Sequence, residues 1–408
     1  MEISMETRGE QMLALRRARM AAAPPILRGG FRPFFLGGAM WAVIALAVWL
    51  AALAGQVTVP SAFDALAWHR HEMLFGFVGA VITGFLLTAI PNWTGRLPIA
   101  GAPLAGLFVL WLAGRLAMLF SATLGPAVAA AIDVGFYLFL AAVAAREVIE
   151  ANNRNMPIVG LVLLFAIANG LDHLAAAGSF IDPAIPWQLA VALVTLMISL
   201  IGGRIVPSFT RNWLAKRGVT QDLPGQPGRF DLVAIGLTAL ALIAWMAAPP
   251  GWLPGALLTI AASAQAIRLA RWKGWKAAAD PLVLVLHVGY AWVPAGLGLL
   301  AAAQLGALLP QSAAVHALTA GAMATMILAV MTRASLGHTG RELRAGPATS
   351  IIYLMVTAGA VLRVAAPLGG LDYRMGMEIA GLCWIGSFLL FIACYGPILF
   401  APRVGEAK

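Results

Sequence analysis

The sequence predicts an all-α, polytopic membrane protein of twelve transmembrane helices, and three observations predict it. Of 408 residues, 61% are hydrophobic and only 11% charged, with a mean hydropathy of +0.87. A water-facing domain carries about 25% charged residues, so this chain cannot coat a soluble surface. Its apolar residues fall in runs of the roughly 20 residues that a helix needs to cross the hydrocarbon core. The 24 prolines and 43 glycines follow no collagen-like period and serve as breaks and packing residues. A soluble enzyme, a nucleic-acid-binding domain and a disordered scaffold are excluded.

Each run has a reason to start and stop. The first, 34–54, follows Arg32-Pro33 and stops at Gly55. The second, 68–90, opens on Trp68-His69-Arg70-His71-Glu72 and meets Pro91-Asn92, read as a loop. The third and fourth, 102–120 and 126–146, are parted by Gly125-Pro126; the fifth, 157–178, is set off by Asn152-Asn153. The sixth, 187–206, ends at Pro207 and opens a long break, 207–229. The seventh and eighth, 230–248 and 252–270, flank Pro249-Pro250-Gly251. The ninth, 281–303, opens on Pro281, and the tenth, 312–334, precedes the break 335–347. The eleventh and twelfth are 348–366 and 376–399. Neither long break has room for a soluble domain.

An even number of spans puts both termini on one side. Of the 27 Lys and Arg, Arg70, Arg363 and Arg374 fall on the opposite side, and Arg115 and Arg204 lie within spans. The rest gather at the tails, loops and helix ends of the termini's side, among them Arg211, Lys216, Arg217, Arg271, Lys273, Lys276, Arg341 and Arg344. This positive-inside bias makes 1–30 and 401–408 cytoplasmic tails. Topology thus accounts for the net charge of +10: the lipid bilayer is the expected partner, and nucleic acid is not. No apolar run precedes Phe34, so a cleaved secretory signal is not expected. Cys383 and Cys394 are eleven residues apart on one span, a helical rise of about 16 Å against a disulfide limit of roughly 7 Å. They read as inert small hydrophobes, and no cysteine pair suits an iron–sulfur or zinc site.

Residues 71–96 align without gaps with 316–341. The identities are His71/His316, Gly76/Gly321, Ile82/Ile327, Ala89/Ala334, Thr94/Thr339, Gly95/Gly340 and Arg96/Arg341. A weaker copy, 187–212, pairs Pro91 with Pro207 and Thr94 with Thr210, but has Trp187 in place of the histidine. These are spans two, six and ten, so the expected organisation is three four-helix units, 31–150, 151–275 and 276–400. Helix-end chemistry that recurs because every span must stop is the plainer account. Such a threefold plan resembles haem–copper oxidase main subunits, an analogy of fold alone.

Ionisable residues at membrane depth are expensive and mark function. His69 and His71 open span two, His316 lies one turn into span ten, and His173 lies late in span five, so the four are expected in one layer. His287 and His338 lie toward the other side, where they would form a second site. On a regular helix His69 and His71 point about 200° apart and cannot share an ion; they converge only if the span begins at Trp68 on a non-helical entry. His69 otherwise reads as a wet interfacial ring. Near the layer stand Glu72, Asp133, Asp172, Arg115, Arg363 and Glu378. The carboxylates suit orienting histidines or relaying protons, and the arginines suit haem propionates; mutual ion pairing is the structural alternative. Gly76, Ala80 and Gly84 form a small-residue stripe for close packing or for a flat ligand. No GxGxxG, Walker loop, HExxH or nucleophile elbow stands in a believable context.

Four motifs carry a resemblance. They are Arg32-Pro33-Phe34-Phe35, His69-Arg70-His71-Glu72-Met73-Leu74-Phe75-Gly76, Leu286-His287-Val288-Gly289-Tyr290-Ala291-Trp292, and Met331-Thr332-Arg333-Ala334-Ser335-Leu336-Gly337-His338-Thr339-Gly340-Arg341. Together they are similar to the NnrS family of bacterial inner-membrane proteins of twelve spans, along nearly the whole chain. The resemblance implies a haem- and copper-containing protein of nitric oxide metabolism and nitrosative-stress relief. It implies histidine ligands, carried here by His69, His71, His287, His316 and His338; His173 is added from depth. Which of them holds haem b and which copper stays open. Span six has no histidine and no histidine pair opens span seven, so an oxidase ligand set does not transfer.

The leading expectation is an oxidoreductase, nitric-oxide-reductase-like, with His71, His173, His316, Arg115 and Arg363 holding cofactor. Glu72, Asp133 and Asp172 would supply protons, and quinol would be a plausible electron donor. A non-catalytic haem, copper or nitric oxide sensor or carrier is the first rival. A secondary transporter is the second.

Overall fold

The computed structural model describes residues 14–405 apart from 16, 19, 154, 307, 308, 370 and 371. Parts of both expected tails, 1–13 and 406–408, therefore lie outside the described residues. Among the described residues there are helices and no strands. Twelve of the helices are long and apolar enough to cross a membrane, and the protein is a multi-pass membrane protein. They are α1 Phe31–Leu53, α2 Ala65–Thr94, α3 Ala102–Leu119, α4 Pro126–Glu150, α5 Met156–Ala176, α6 Ala184–Ala215, α7 Arg229–Ala247, α8 Trp252–Arg271, α9 Pro281–Gln304, α10 Gln311–His338, α11 Pro347–Leu368 and α12 Tyr373–Phe400. The cysteines are free.

Several helices run past their expected ends. Pro91-Asn92 is not a loop: α2 continues to Thr94 and stops where Gly95, at φ 70°, sends its N–H back to the Pro91 carbonyl. The expected break 207–229 is helix as far as Ala215, because α6 continues through Pro207. Apolar run length marks where lipid ends, whereas backbone hydrogen bonding continues until a residue such as a left-handed glycine stops it. Beyond α6, the Asp222 carboxylate accepts from Lys273 and from Lys276 at 2.6 Å, and these cations hold its pKa down at about 2.

The chain divides into two compact units. The first comprises Met1–Pro183, Ala334–Arg341 and Ile392–Lys408; the second comprises Ala184–Arg333 and Glu342–Phe391. In the first, α1 packs on α2, α3 on α4 and α4 on α5. Arg32, although only 4% exposed, is satisfied by the carbonyls of Leu399 and Ala401, each at 2.7 Å. In the second, α7 packs on α8, α8 on α9, and α9 on α10.

Glu72–Val78 of α2, Ile198–Gly202 of α6 and Ala317–Met323 of α10 are wound as π-helix. Such widened turns free carbonyls from the helical ladder. In α2 the Phe75 carbonyl accepts from the Tyr137 hydroxyl, and the Gly76 carbonyl accepts from Trp111 Nε1 at 3.0 Å. Tyr137 reaches in only because residue 79 is glycine: a Cβ there would lie 1.8 Å from the phenol oxygen. Gly79→Ala should therefore destabilise the detergent-solubilised protein by about 1–3 kcal/mol, seen as a lower midpoint of thermal unfolding. Gly106→Ala, with nothing within 4 Å of the new methyl, should leave the midpoint in place.

Candidate metal centre

The N-terminal turn of α2 is set by Asp64, whose Oδ1 caps the N–H groups of Leu66 and Ala67 at 2.9 Å each. The helix thus begins at Ala65, before both histidines, and the non-helical entry at Trp68 is not formed. The two rings diverge as a regular helix requires. His69 stacks on Trp49, ring centroids 4.7 Å apart and planes at 16°. His71 is fully buried against Phe63 and Phe75.

His71 meets carboxylates at both ring nitrogens: Nε2 lies 2.9 Å from Asp133 Oδ2 and Nδ1 lies 2.8 Å from Asp172 Oδ2. Asp133 Oδ2 also receives His173 Nε2 at 3.2 Å and Asn169 Nδ2 at 2.7 Å. Asp133 Oδ1 receives Arg115 Nη2, while Arg115 Nη1 donates to Glu72 Oε2 at 2.6 Å. Trp41 Nε1 reaches that same oxygen at 2.5 Å. Gly76 leaves the space, since a Cβ there would lie 2.4 Å from Glu72 Oε2 and 2.8 Å from Arg115 Nη1. The small-residue stripe is therefore filled by protein: Gly76 by this ionic group, Gly84 by Phe34 and Phe35.

Among the described residues, His71, Asp133 and His173 form a group able to hold a metal ion, with one ligand atom from each within 4.8 Å of the others. All three are buried, and they come from α2, α4 and α5. Two imidazoles and a carboxylate suit first-row metals such as copper, iron or zinc. Asp172, behind the other nitrogen of His71, occupies the place of the carboxylate that orients a ligating histidine. Glu72 and Asp133 pair with one guanidinium, and a third carboxylate, Asp172, stands against His71, so carboxylates outnumber arginines in the group.

A haem does not fit there. The His71 and His173 rings are 5.1 Å apart, with the Asp133 oxygen bonded to both, so no flat space separates them. Both terminal nitrogens of Arg115 are taken by carboxylates, while its Nε is buried without a hydrogen-bond partner. Ion pairing, the structural alternative to a haem contact, is what the terminal nitrogens of Arg115 make.

The remaining candidates stand elsewhere. His338 is exposed and packs on Phe31 at 5.5 Å. In the second unit, His287 Nε2 donates to Thr210 Oγ1 at 2.8 Å, and that hydroxyl donates to the Val206 carbonyl. His316 and Arg363 lie on α10 and α11, and Glu378 pairs with Arg374 at 2.8 Å. Sequence reasoning missed Asn169, Trp41 and Tyr137, although Asn169/His173 and Asp133/Tyr137 share the i, i+4 spacing that puts residues on one helix face. It also missed a polar group in the second unit, where buried Arg268 binds Asp231 at 2.7 Å, the Ser199 carbonyl at 2.7 Å and Tyr290 at 2.9 Å.

Arg115→Leu would leave Glu72 and Asp133 buried without their counter-charge. It should destabilise by roughly 3–5 kcal/mol in chemical unfolding of the detergent-solubilised protein. Glu72→Gln, which keeps an acceptor for Arg115 and Trp41, should cost less.

A search of curated proteins finds no match for the chain. The model of a protein family described as NnrS protein matches residues 25–403, nearly the full length. The histidine motifs, the twelve apolar helices and this match agree: the chain belongs to the NnrS family.

Proposed function

We propose that this protein is a metalloprotein of nitric oxide metabolism that binds or reduces nitric oxide at a histidine-ligated metal. The observation that carries the reading is the convergence of buried His71, His173 and Asp133 from three helices. Family membership supports the link to nitric oxide, and the positive-inside bias supports a bacterial inner-membrane location with cytoplasmic termini.

His71 Nε2, His173 Nε2 and Asp133 Oδ2 would hold the ion, which we take to be copper. Its chemistry there is one-electron exchange beside an apolar wall that nitric oxide, a lipid-soluble gas, can reach. Asp172 holds the His71 ring by its other nitrogen and is the partly exposed member of the group, at 13%. Glu72 Oε1 is buried with no hydrogen-bond partner, so the carboxyl can take up a proton without breaking a contact. Asn169 and Arg115 fix Asp133. Reduction of two nitric oxide molecules to nitrous oxide and water consumes two electrons and two protons, and a quinol supplies both kinds.

Purified protein should contain a first-row metal, and His173→Ala and Asp133→Ala should lose it while His338→Ala keeps it, measured by elemental analysis. Asp172→Asn should weaken metal binding by roughly 10–100-fold. With reductant present the wild type should consume nitric oxide, followed at an electrode. Binding without consumption would make the protein a sensor or carrier, and no metal at all would end the reading.

A further inference from the structure

A cavity large enough for an organic ligand opens in the first unit, between α3 and α4. Its volume is about 440 Å³, inside the roughly 300–1,000 Å³ range of small-molecule sites. Leu107 and Leu110 of α3 line it with Phe139 and Val143 of α4, and Arg146 is the charged side chain in its wall. Phe139, Val143 and Arg146 follow one another at four- and three-residue spacing, so one face of α4 carries them all. Phe139 is 53% exposed on a helix that crosses the membrane, which opens the cavity to lipid.

The pairing of Arg146 selects a ligand by charge. Its Nη2 donates to Glu147 Oε1 at 2.8 Å. Glu147 Oε2 accepts from Arg96 Nε at 2.6 Å, and Glu150 pairs with Arg96 Nη2 at 2.6 Å. Two cations thus stand against two carboxylates, and the rim of the cavity is balanced. An anionic group would upset that balance and compete with Glu147 for the guanidinium. A guanidinium carries five N–H donors, and among the described residues Arg146 makes no hydrogen bond beyond the one to Glu147. What it has left suits a neutral acceptor at the edge of an apolar space.

The same wall leads to the His71 group. Along α4, Phe139 lies six residues from Asp133, a rise of about 9 Å. Packed rings fill the way between: His71 meets Phe75 at 5.0 Å, Phe75 meets Tyr137 at 6.3 Å, and Tyr137 meets Phe136 at 5.0 Å. Phe136 stands one turn before Phe139, and through Phe34 it also reaches Phe108 of α3, the neighbour of Leu107. A quinone suits each feature, with a neutral ring oxygen for Arg146, a flat apolar head for the cavity and an isoprenoid tail that leaves past Phe139 into lipid. We propose that this cavity binds the headgroup of a membrane quinol, with Arg146 donating to a ring oxygen. Oxidation to the quinone breaks two O–H bonds and releases two protons at the rim, beside Glu147 and Glu150, together with two electrons. Those electrons reduce two nitric oxide molecules, which take up two protons and give nitrous oxide and water. The use of the electrons rests on the reading of the protein as one that reduces nitric oxide, whereas the binding site does not.

The test is binding of decylubiquinone and of a short-tailed menaquinone to purified full-length protein in phosphatidylcholine nanodiscs, read by quenching of tryptophan fluorescence. Cross-linking of an azidoquinone, mapped by mass spectrometry, should label α3 and α4. Gly106→Phe puts a ring into the cavity from a position where a Cβ meets nothing within 4 Å. Arg146→Gln removes the donor while Glu147 keeps Arg96. Each should weaken quinone binding roughly tenfold or more, with metal content and the midpoint of thermal unfolding unchanged, and Arg146→Lys should restore much of the affinity. Label outside α3 and α4, unchanged affinity in both variants, or a wild type that binds neither quinone would overturn the site and leave the metalloprotein reading intact. Loss of a tightly retained phospholipid from the variants, in place of quinone, would make the cavity a lipid site and overturn the proposal likewise. A protein that binds quinone here but holds no metal would keep the site and overturn the nitric oxide reading.

Discussion

A guanidinium does not shed its proton inside a protein, so burying Arg115 within membrane-spanning helices dictates where negative charge must stand. Glu72 on α2 and Asp133 on α4 answer it, one on each terminal nitrogen. An isolated ion would cost several kcal/mol to remove from water, so these three helices are committed to one register. The rest of the group follows from Asp133. Its first oxygen is held by Arg115, and its second is left to collect His71, His173 and Asn169. The metal-competent group thus grows out of the neutralisation of an arginine, with two carboxylates on the guanidinium and a third, Asp172, on His71.

The backbone of α2 is adapted to this arrangement. A regular α-helix would spend every carbonyl on itself, whereas the π segment that begins at Glu72 gives the carbonyls of Phe75 and Gly76 to Tyr137 and Trp111. Gly76 and Gly79 remove the side chains that would block those approaches. The second unit solves a similar problem by other means. Arg268 is bound by Asp231 together with hydroxyl, carbonyl and phenol groups, without a histidine in its hydrogen-bonding shell. That group is internally satisfied and reads as scaffold.

Much of the fold was legible because lipid imposes run length and composition. All twelve spans appear near their expected places, and the errors fall at helix ends such as Thr94 and Ala215, where the apolar run has stopped and hydropathy carries no information on the backbone. The site was legible in part. Glu72, Asp133, Asp172, His71 and His173 stand out because charge and imidazole are rare in apolar helices. Their partner Asn169 does not, since an amide costs less to bury. The ion pairs of Arg115 were not legible, because sequence depth cannot tell which carboxylates a guanidinium will meet. Similarly, His69 and His71 are neighbours in sequence, yet the Asp64 cap starts the helix early enough to turn them apart.

The central claim is that His71 and His173 bind one metal ion together with Asp133. Pulsed electron paramagnetic resonance of the copper(II)-loaded protein, with nitrogen-15 in histidine, tests it most directly. Two imidazole nitrogens should couple to the copper in the wild type, and His173→Gln should remove one of them without abolishing the signal. A copper spectrum that neither the His71 nor the His173 substitution changes would contradict the account.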